Sequence, residues 1–258
     1  MKISNIRCAR TLLVGVTFAL ALVSCHPAYR VARVEGSRVT IDSTFDAHPD
    51  ADAIALLAPY KHRVDSTMNR VLGTSAIAMD AHRPESLLSN LVADILREAA
   101  SDTLGHPADM GLVNMGGLRA TLAQGDITMA NAYEILPFEK ALCIIVLRGS
   151  AFRQLCENIA YRLGEGVSGV RLEVSKDRRL LSAAVGGQPI DDDRLYTVAT
   201  LDYLAEGNDG MHALLMGESR ICPPGATLRS LFIRYVERQA EAGKAVTSRM
   251  EGRICVRE

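Results

Sequence analysis

The chain has 258 residues, 48% of them hydrophobic, and its 29 Lys and Arg against 30 Asp and Glu leave a net charge of −1. This composition supports a large buried core and excludes a disordered chain, a polybasic nucleic-acid-binding surface and an acidic solvating tail, so a charged ligand must be recognised locally. Trp is absent and aromatics make up 5%, which raises the information carried by each Phe and Tyr.

At the N-terminus, Lys2, Arg7 and Arg10 precede the apolar run TLLVGVTFALALVS, which is too short to span a bilayer comfortably and reads as an export signal. The following LVSC resembles the bacterial lipobox, which implies acylation at Cys25 and a chain anchored to the bacterial cell envelope, facing the periplasm or the cell surface. An ordinary signal peptide with a chance cysteine is the alternative. In that oxidising setting Cys143, Cys156, Cys222 and Cys255 leave the connectivity open. Cys143, inside ALCIIVL, and Cys156, on an apparent helix, read as small packed hydrophobes. No C-x-x-C spacing or neighbouring His supports a zinc site.

Beyond a polar linker, Ile54, Leu57, Val64, Met68 and Val71 recur at helical spacing, with Pro59 arguing for a kink or a late start. TSAIAMD is a strand candidate. PESLLSNLVADILREAA is the clearest helix: Pro84 suits a first turn, Glu85 the helix dipole, and Leu88, Leu91, Val92, Ile95 and Leu96 form one face. ADMGLVN reads as a strand running into MGGLR, and GDITMANAYEILPFEK as a turn, a short helix and a loop. ALCIIVLRG reads as a buried strand, SAFRQLCENIAYRLG as an amphipathic helix, and SGVRLEVSKDRRLLSAAVGGQPI as two strands. A further strand in LYTVATL enters the glycine loop EGNDG, and a helix closed by Gly243 precedes a final strand, GRICVRE. The irregular alternation predicts an α/β (α+β) layered sandwich with a mixed sheet.

Two glycine-bearing loops each expose one charged side chain: Asn114, Gly116, Gly117 and Arg119 after one strand, Gly207, Asn208, Asp209 and Gly210 after another. Bare backbones admit a close ligand, a guanidinium matches phosphate or hydroxyl oxygens, and a carboxylate accepts from a ribose diol. Phe138 and Tyr203 add loop aromatics suited to clamping a flat base, with core packing at loop ends as the alternative.

The segments VNMGGLRATLAQGDIT, ILPFEKALCIIVLRGSAFRQLCE and DYLAEGNDG, with the helix ESLLSNLVADILREAA before them, resemble the C-terminal, substrate-binding domain of the 5′-nucleotidase family in order and approximate spacing. With the signal peptide taking residues 1–24, the resemblance implies a linker and interdomain-type helix over 25–75 and the domain over 76–258. It places Asn114 on the base, Arg119 on the phosphate or ribose side, Phe138 and Tyr203 as a base sandwich, Asp209 on the ribose hydroxyls, Gly169 against the pocket wall and Arg83 as a second cation, with His82 the alternative in register. Three departures bear on substrate preference: Met115 stands where the family has Gly, Asn208 where it has Gly, and Tyr203 where it has Phe.

In that family hydrolysis belongs to an N-terminal metallophosphoesterase domain with paired divalent metals, whose His-Asp signatures do not match the six scattered His of this chain. The expectation is therefore no catalytic residue, metal or cofactor in this chain. It would be a lipid-anchored nucleotide- or nucleoside-recognition domain completed by a separately encoded metallophosphoesterase, a role the interdomain-type helix favours. A surface-binding lipoprotein without a catalytic partner is the alternative, and an autonomous hydrolase a third reading.

Overall fold

The computed structural model describes residues 31–257, so the signal segment and Cys25 lie outside the described residues. The chain divides into two compact units, the second being Ala55–Glu258. Residues 31–50 are exposed, with one short 3-10 turn, Ser43–Phe45, capped by the Asp42 side chain. Helix α1 (Ala51–Met68) starts ahead of Pro59, runs through it and buries none of its residues.

The second unit is built around a five-stranded mixed sheet in the order β10-β4-β9-β2-β5, formed by β2 (Met110–Val113), β4 (Leu142–Arg148), β5 (Gly166–Ser168), β9 (Leu195–Leu201) and β10 (Ser219–Ile221). Only the β2·β9 pairing in it is parallel. The sheet is buried on both faces, and successive side chains of β4 alternate between them: Leu142 and Ile144 join one core, Cys143, Ile145 and Leu147 the other. The first core is filled by α2 (Leu87–Leu104), α3 (Met129–Ile135) and α6 (Leu228–Glu241), through residues such as Leu88, Leu96, Ile135 and Phe232. The second takes Phe152, Leu155 and Ile159 from α4 (Gly149–Tyr161), with Leu172 and Val174 of a four-stranded sheet. That sheet, in the order β11-β6-β7-β8, comprises β6 (Val170–Ser175), β7 (Leu180–Val185), β8 (Gln188–Pro189) and β11 (Ile254–Arg257). The expected layered sandwich with mixed sheets is what the chain forms.

Two local expectations are corrected. The strand expected in TSAIAMD is β1 (Val71–Ser75), paired with β3 (Gly125–Thr128), so it begins earlier and runs through Gly73. A Cβ on Gly73 would sit 2.9 Å from Val236 of α6, so here glycine marks close packing of a helix on a strand and no turn. Helix α2 does show the predicted face, with Leu88, Leu91, Val92, Ile95 and Leu96 buried, but Ser86 caps it and Pro84 stands outside, after a cis peptide. Glu85 does not serve the helix dipole. It is buried and accepts from Asn90 Nδ2 and from the backbone N–H groups of Glu251 and Arg253, tying α2 to the C-terminal segment.

Cys143 is not a free packed thiol: it forms a disulfide with Cys222, just past edge strand β10, across 79 residues of sequence. Cys156 does pack as a small hydrophobe, and burial pushes its thiol up to about 12. A cross-link over so long a loop restricts the unfolded chain, so Cys222→Ala should lower the unfolding free energy by up to about 4 kcal/mol. Urea denaturation of wild type and variant under non-reducing conditions checks this, and an unchanged midpoint would show that the bond constrains little.

Candidate functional site

The sheet topology brings four loops to one edge. Strands β2 and β9 are parallel and end there, while β4 and β5 run antiparallel to them and begin there, as the pairs Leu142↔Leu201 and Val113↔Gly166 show. Asn114 therefore follows β2, Phe138 and Lys140 precede β4, Arg162 and Glu165 precede β5, and Tyr203 and Asp209 follow β9. Tyr203 lies on the short helix α5 (Asp202–Ala205), Asp209 in a 3-10 turn, Asn208–Gly210.

Four of the expected residues meet at this edge. Asn114 Nδ2 donates to Asp209 Oδ2 at 2.8 Å, and the Tyr203 hydroxyl donates to Asp209 Oδ1 at 3.4 Å. Phe138 and Tyr203 are 47% and 37% exposed, so neither is a core residue, which decides against the core-packing alternative. Between them stands Lys140, its Nζ 5.2 Å from the Phe138 ring centroid and 4.4 Å from that of Tyr203. The same ammonium donates to Asn114 Oδ1 at 2.9 Å. Burial pushes the Lys140 amine below the ordinary lysine range, and Asp209, Asp202 and Glu165 oppose that shift.

The MGGLR turn answers to this geometry. Residues Met115–Gly117 form a 3-10 turn in which a Cβ on Gly117 would lie 2.8 Å from Asn114 Oδ1 and 3.3 Å from Lys140 Nζ, whereas one on Gly116 would lie 4.0 Å from Asn114 Nδ2, at ordinary contact distance. The Met115 side chain turns into the first core, so it does not fill the space beside Asn114. In the second loop the departure from glycine falls differently from expectation. Asp209 itself, at φ 54°, takes the left-handed conformation, which Asp tolerates better than most residues. Asn208 instead uses its Nδ2 to hold the Tyr203 carbonyl at 2.8 Å.

Glu165, missed by sequence reasoning, anchors the edge from below. Its side chain is fully buried and accepts from Arg83 Nη2, Arg162 Nε and the Met115 backbone N–H, each at 2.5 Å. Arg83 also donates from Nε to the Gly164 carbonyl at 2.8 Å, so it is a positioning cation, while His82 lies against Asp80 and the Arg83 carbonyl, its neighbours in sequence. Arg162, a further missed residue, lies 4.0 Å from Asp209. Burial disfavours its charge, but Glu165 and Asp209 outweigh burial and hold the guanidinium above its ordinary value. Arg119 is exposed, its backbone N–H bonded to the Ile135 carbonyl and its guanidinium unpaired among the described residues. Gly169 is not at this edge. It follows the opposite end of β5, where a Cβ would strike the Asp109 carbonyl at 2.2 Å, and it lines a separate cleft with Asp94 and Arg97.

Among the described residues no group of three or more His, Cys, Asp or Glu is arranged to hold a metal ion, so no chemical step is derived through one. A cleft of about 590 Å³ between α2 and α6, crossed by the Arg238–Glu98 ion pair, lies away from the glycine loops. The β2/β9 edge thus brings together two partly exposed rings with an ammonium over them, an amide and a carboxylate.

Residues 66–215 match the family described as 5′-nucleotidase, C-terminal domain. The chain is 28% identical over 241 residues to the cell wall protein Lmo0130 of Listeria monocytogenes, covering 82% of this chain and 30% of that protein. It is 29% identical over 194 residues to the NAD 5′-nucleotidase of Haemophilus influenzae, covering 65% of this chain and 32% of that one. The crystal structure of a 5′-nucleotidase precursor from Thermus thermophilus superposes with a TM-score of 0.68 at 27% identity, over 80% of this chain and 43% of that structure. The chain thus spans about a third of the length of these sequence relatives.

Because Glu165 is buried and charged, Glu165→Gln should destabilise the fold by roughly 3 kcal/mol, leaving two arginines facing a neutral amide. Chemical denaturation measures this, and a loss within experimental error would show that the arginines find other partners.

Proposed function

The chain belongs to the 5′-nucleotidase C-terminal domain family, and from that premise we propose that it is the nucleotide- or nucleoside-recognising half of a 5′-nucleotidase, completed by a metallophosphoesterase made as a separate chain. The observation that carries this reading is the meeting of Phe138, Tyr203, Asn114 and Asp209 at one sheet edge. In it a base enters between the two rings, Asn114 contacts the base, Asp209 takes the ribose hydroxyls and the unpaired Arg119 guanidinium receives the phosphate or ribose side. Arg83 supports the loops from outside the contact surface through Glu165 and the Gly164 carbonyl, and Gly169 takes no part in it. The divalent metals and the hydrolytic step belong to the partner, while this chain supplies affinity and selectivity for the sugar and base. A lipid anchor at Cys25 in the cell envelope completes the proposal. A relative that is a cell wall protein supports an envelope location.

Base stacking should be measurable in this chain alone. Phe138→Ala and Tyr203→Ala should each weaken nucleoside binding by about 1–3 kcal/mol, read by calorimetry; unchanged affinity in both variants would remove the rings from the site.

Catalysis should depend on the partner. With excess Mn²⁺ or Zn²⁺ the purified chain should not hydrolyse AMP, and adding it to a metallophosphoesterase should raise kcat/KM for nucleotides far more than for a generic aryl phosphate. AMP hydrolysis by this chain alone, surviving further purification, would overturn the proposal. Nucleoside binding without any effect on a phosphoesterase would favour the surface-binding lipoprotein instead.

A further inference from the structure

Lys140 has no role in the reading above, yet it stands at the centre of the site. Asp209, Asn114 and Lys140 form a chain of hydrogen bonds: Asn114 Nδ2 donates to Asp209, and Asn114 Oδ1 accepts from Lys140. If Asp209 marks the sugar end, the ammonium lies on the far side of Asn114, where the edge of a stacked base opposite its sugar would reach. A lysine ammonium carries three donors and no acceptor. One donor is committed to Asn114, and the ring faces of Phe138 and Tyr203 meet the rest of the charge. Asp209, Asp202 and Glu165 favour the charged form of the amine. Gly117 keeps the position open, because a side chain there would press on both Asn114 and Lys140.

We propose that Lys140 sets base choice at this site, favouring purine nucleosides and nucleotides whose six-position bears an oxo group over those bearing an amino group. Resting on the nucleoside-binding reading of the same site, the inference follows from donor complementarity. When a base slides between the rings, the ammonium leaves the ring faces and stays tethered to Asn114. An oxo group then accepts a charge-assisted hydrogen bond from it, whereas the amino group of adenine is itself a donor and accepts none at that position.

The test is calorimetric titration of the purified full chain with inosine, adenosine and unsubstituted purine riboside, and of its Lys140→Met variant with the same ligands. Wild type should bind inosine roughly ten- to a hundredfold more tightly than either other nucleoside, the range given by a hydrogen bond to a charged group. In Lys140→Met, which keeps the length and loses the charge, the three should bind within about threefold of one another. The wild-type series decides the matter by itself should the variant not fold. Equal binding of inosine and adenosine by wild type, or an inosine preference retained in Lys140→Met, would overturn the role of Lys140 and leave the nucleoside site intact. Binding of all three nucleosides, inosine included, that emerges only in Lys140→Met would also overturn it, showing the lysine to be a plug. Absence of binding by any nucleoside to either protein at millimolar concentration would instead overturn the nucleoside-binding reading itself.

Discussion

The buried carboxylate of Glu165 is the contact on which the β2/β9 edge depends. A carboxylate removed from water costs several kcal/mol unless charge and hydrogen bonds replace its hydration. Here the replacement comes from three separate segments: Arg83 from the loop before α2, Arg162 from the end of α4 and the Met115 N–H from the turn after β2. The chain can satisfy Glu165 only by bringing those segments together, and Asn114, adjacent to Met115, is thereby fixed at the end of its strand. Gly164 passes so close to Pro84 that a Cβ would meet the Pro84 carbonyl at 2.4 Å, so the same closure is demanded by packing as well as by charge.

The polar atoms above that anchor are joined in one line from Asp209 through Asn114 to Lys140, and each member limits the others. Asn114 presents its nitrogen to the carboxylate and its oxygen to the ammonium, an amide orientation set by its two partners. The edge is consequently a set of donors and acceptors held in fixed relation by one another, and the two rings with the cation over them set its electrostatic character.

Much of this was legible in the sequence, and what was not has identifiable causes. Helix α2 declared itself by period, and the sheet strands by their apolar runs, because those signals are local. Asn114, Phe138, Tyr203 and Asp209 stood out because glycine loops or aromatic scarcity marked them. Glu165 and Arg162 did not, since a charged residue beside a glycine turn reads as solvated surface until its partners, far away in sequence, are known. Glu85 was misassigned for the same reason: a helix-dipole role needs only its neighbours, whereas its actual donors, the N–H groups of Glu251 and Arg253, lie at the other end of the chain. Cys143 looked like core because β4 is core, and its partner arrives just after an edge strand that the apolar pattern did not reveal.

The order of the five-stranded sheet carries a consequence for how the molecule comes into being. Strand β9 is made after β2 and β4 yet inserts between them, pairing with each along opposite sides. Until it does, Asn114 on one flank and Phe138 with Lys140 on the other belong to strands that have no shared neighbour, and Asp209 has not yet emerged behind it. During synthesis from the N-terminus this edge cannot form until β9 has been made and paired with both of its neighbours, a non-local step. A nascent chain that stops short of β9 holds Asn114, Phe138 and Lys140 on strands that nothing yet joins.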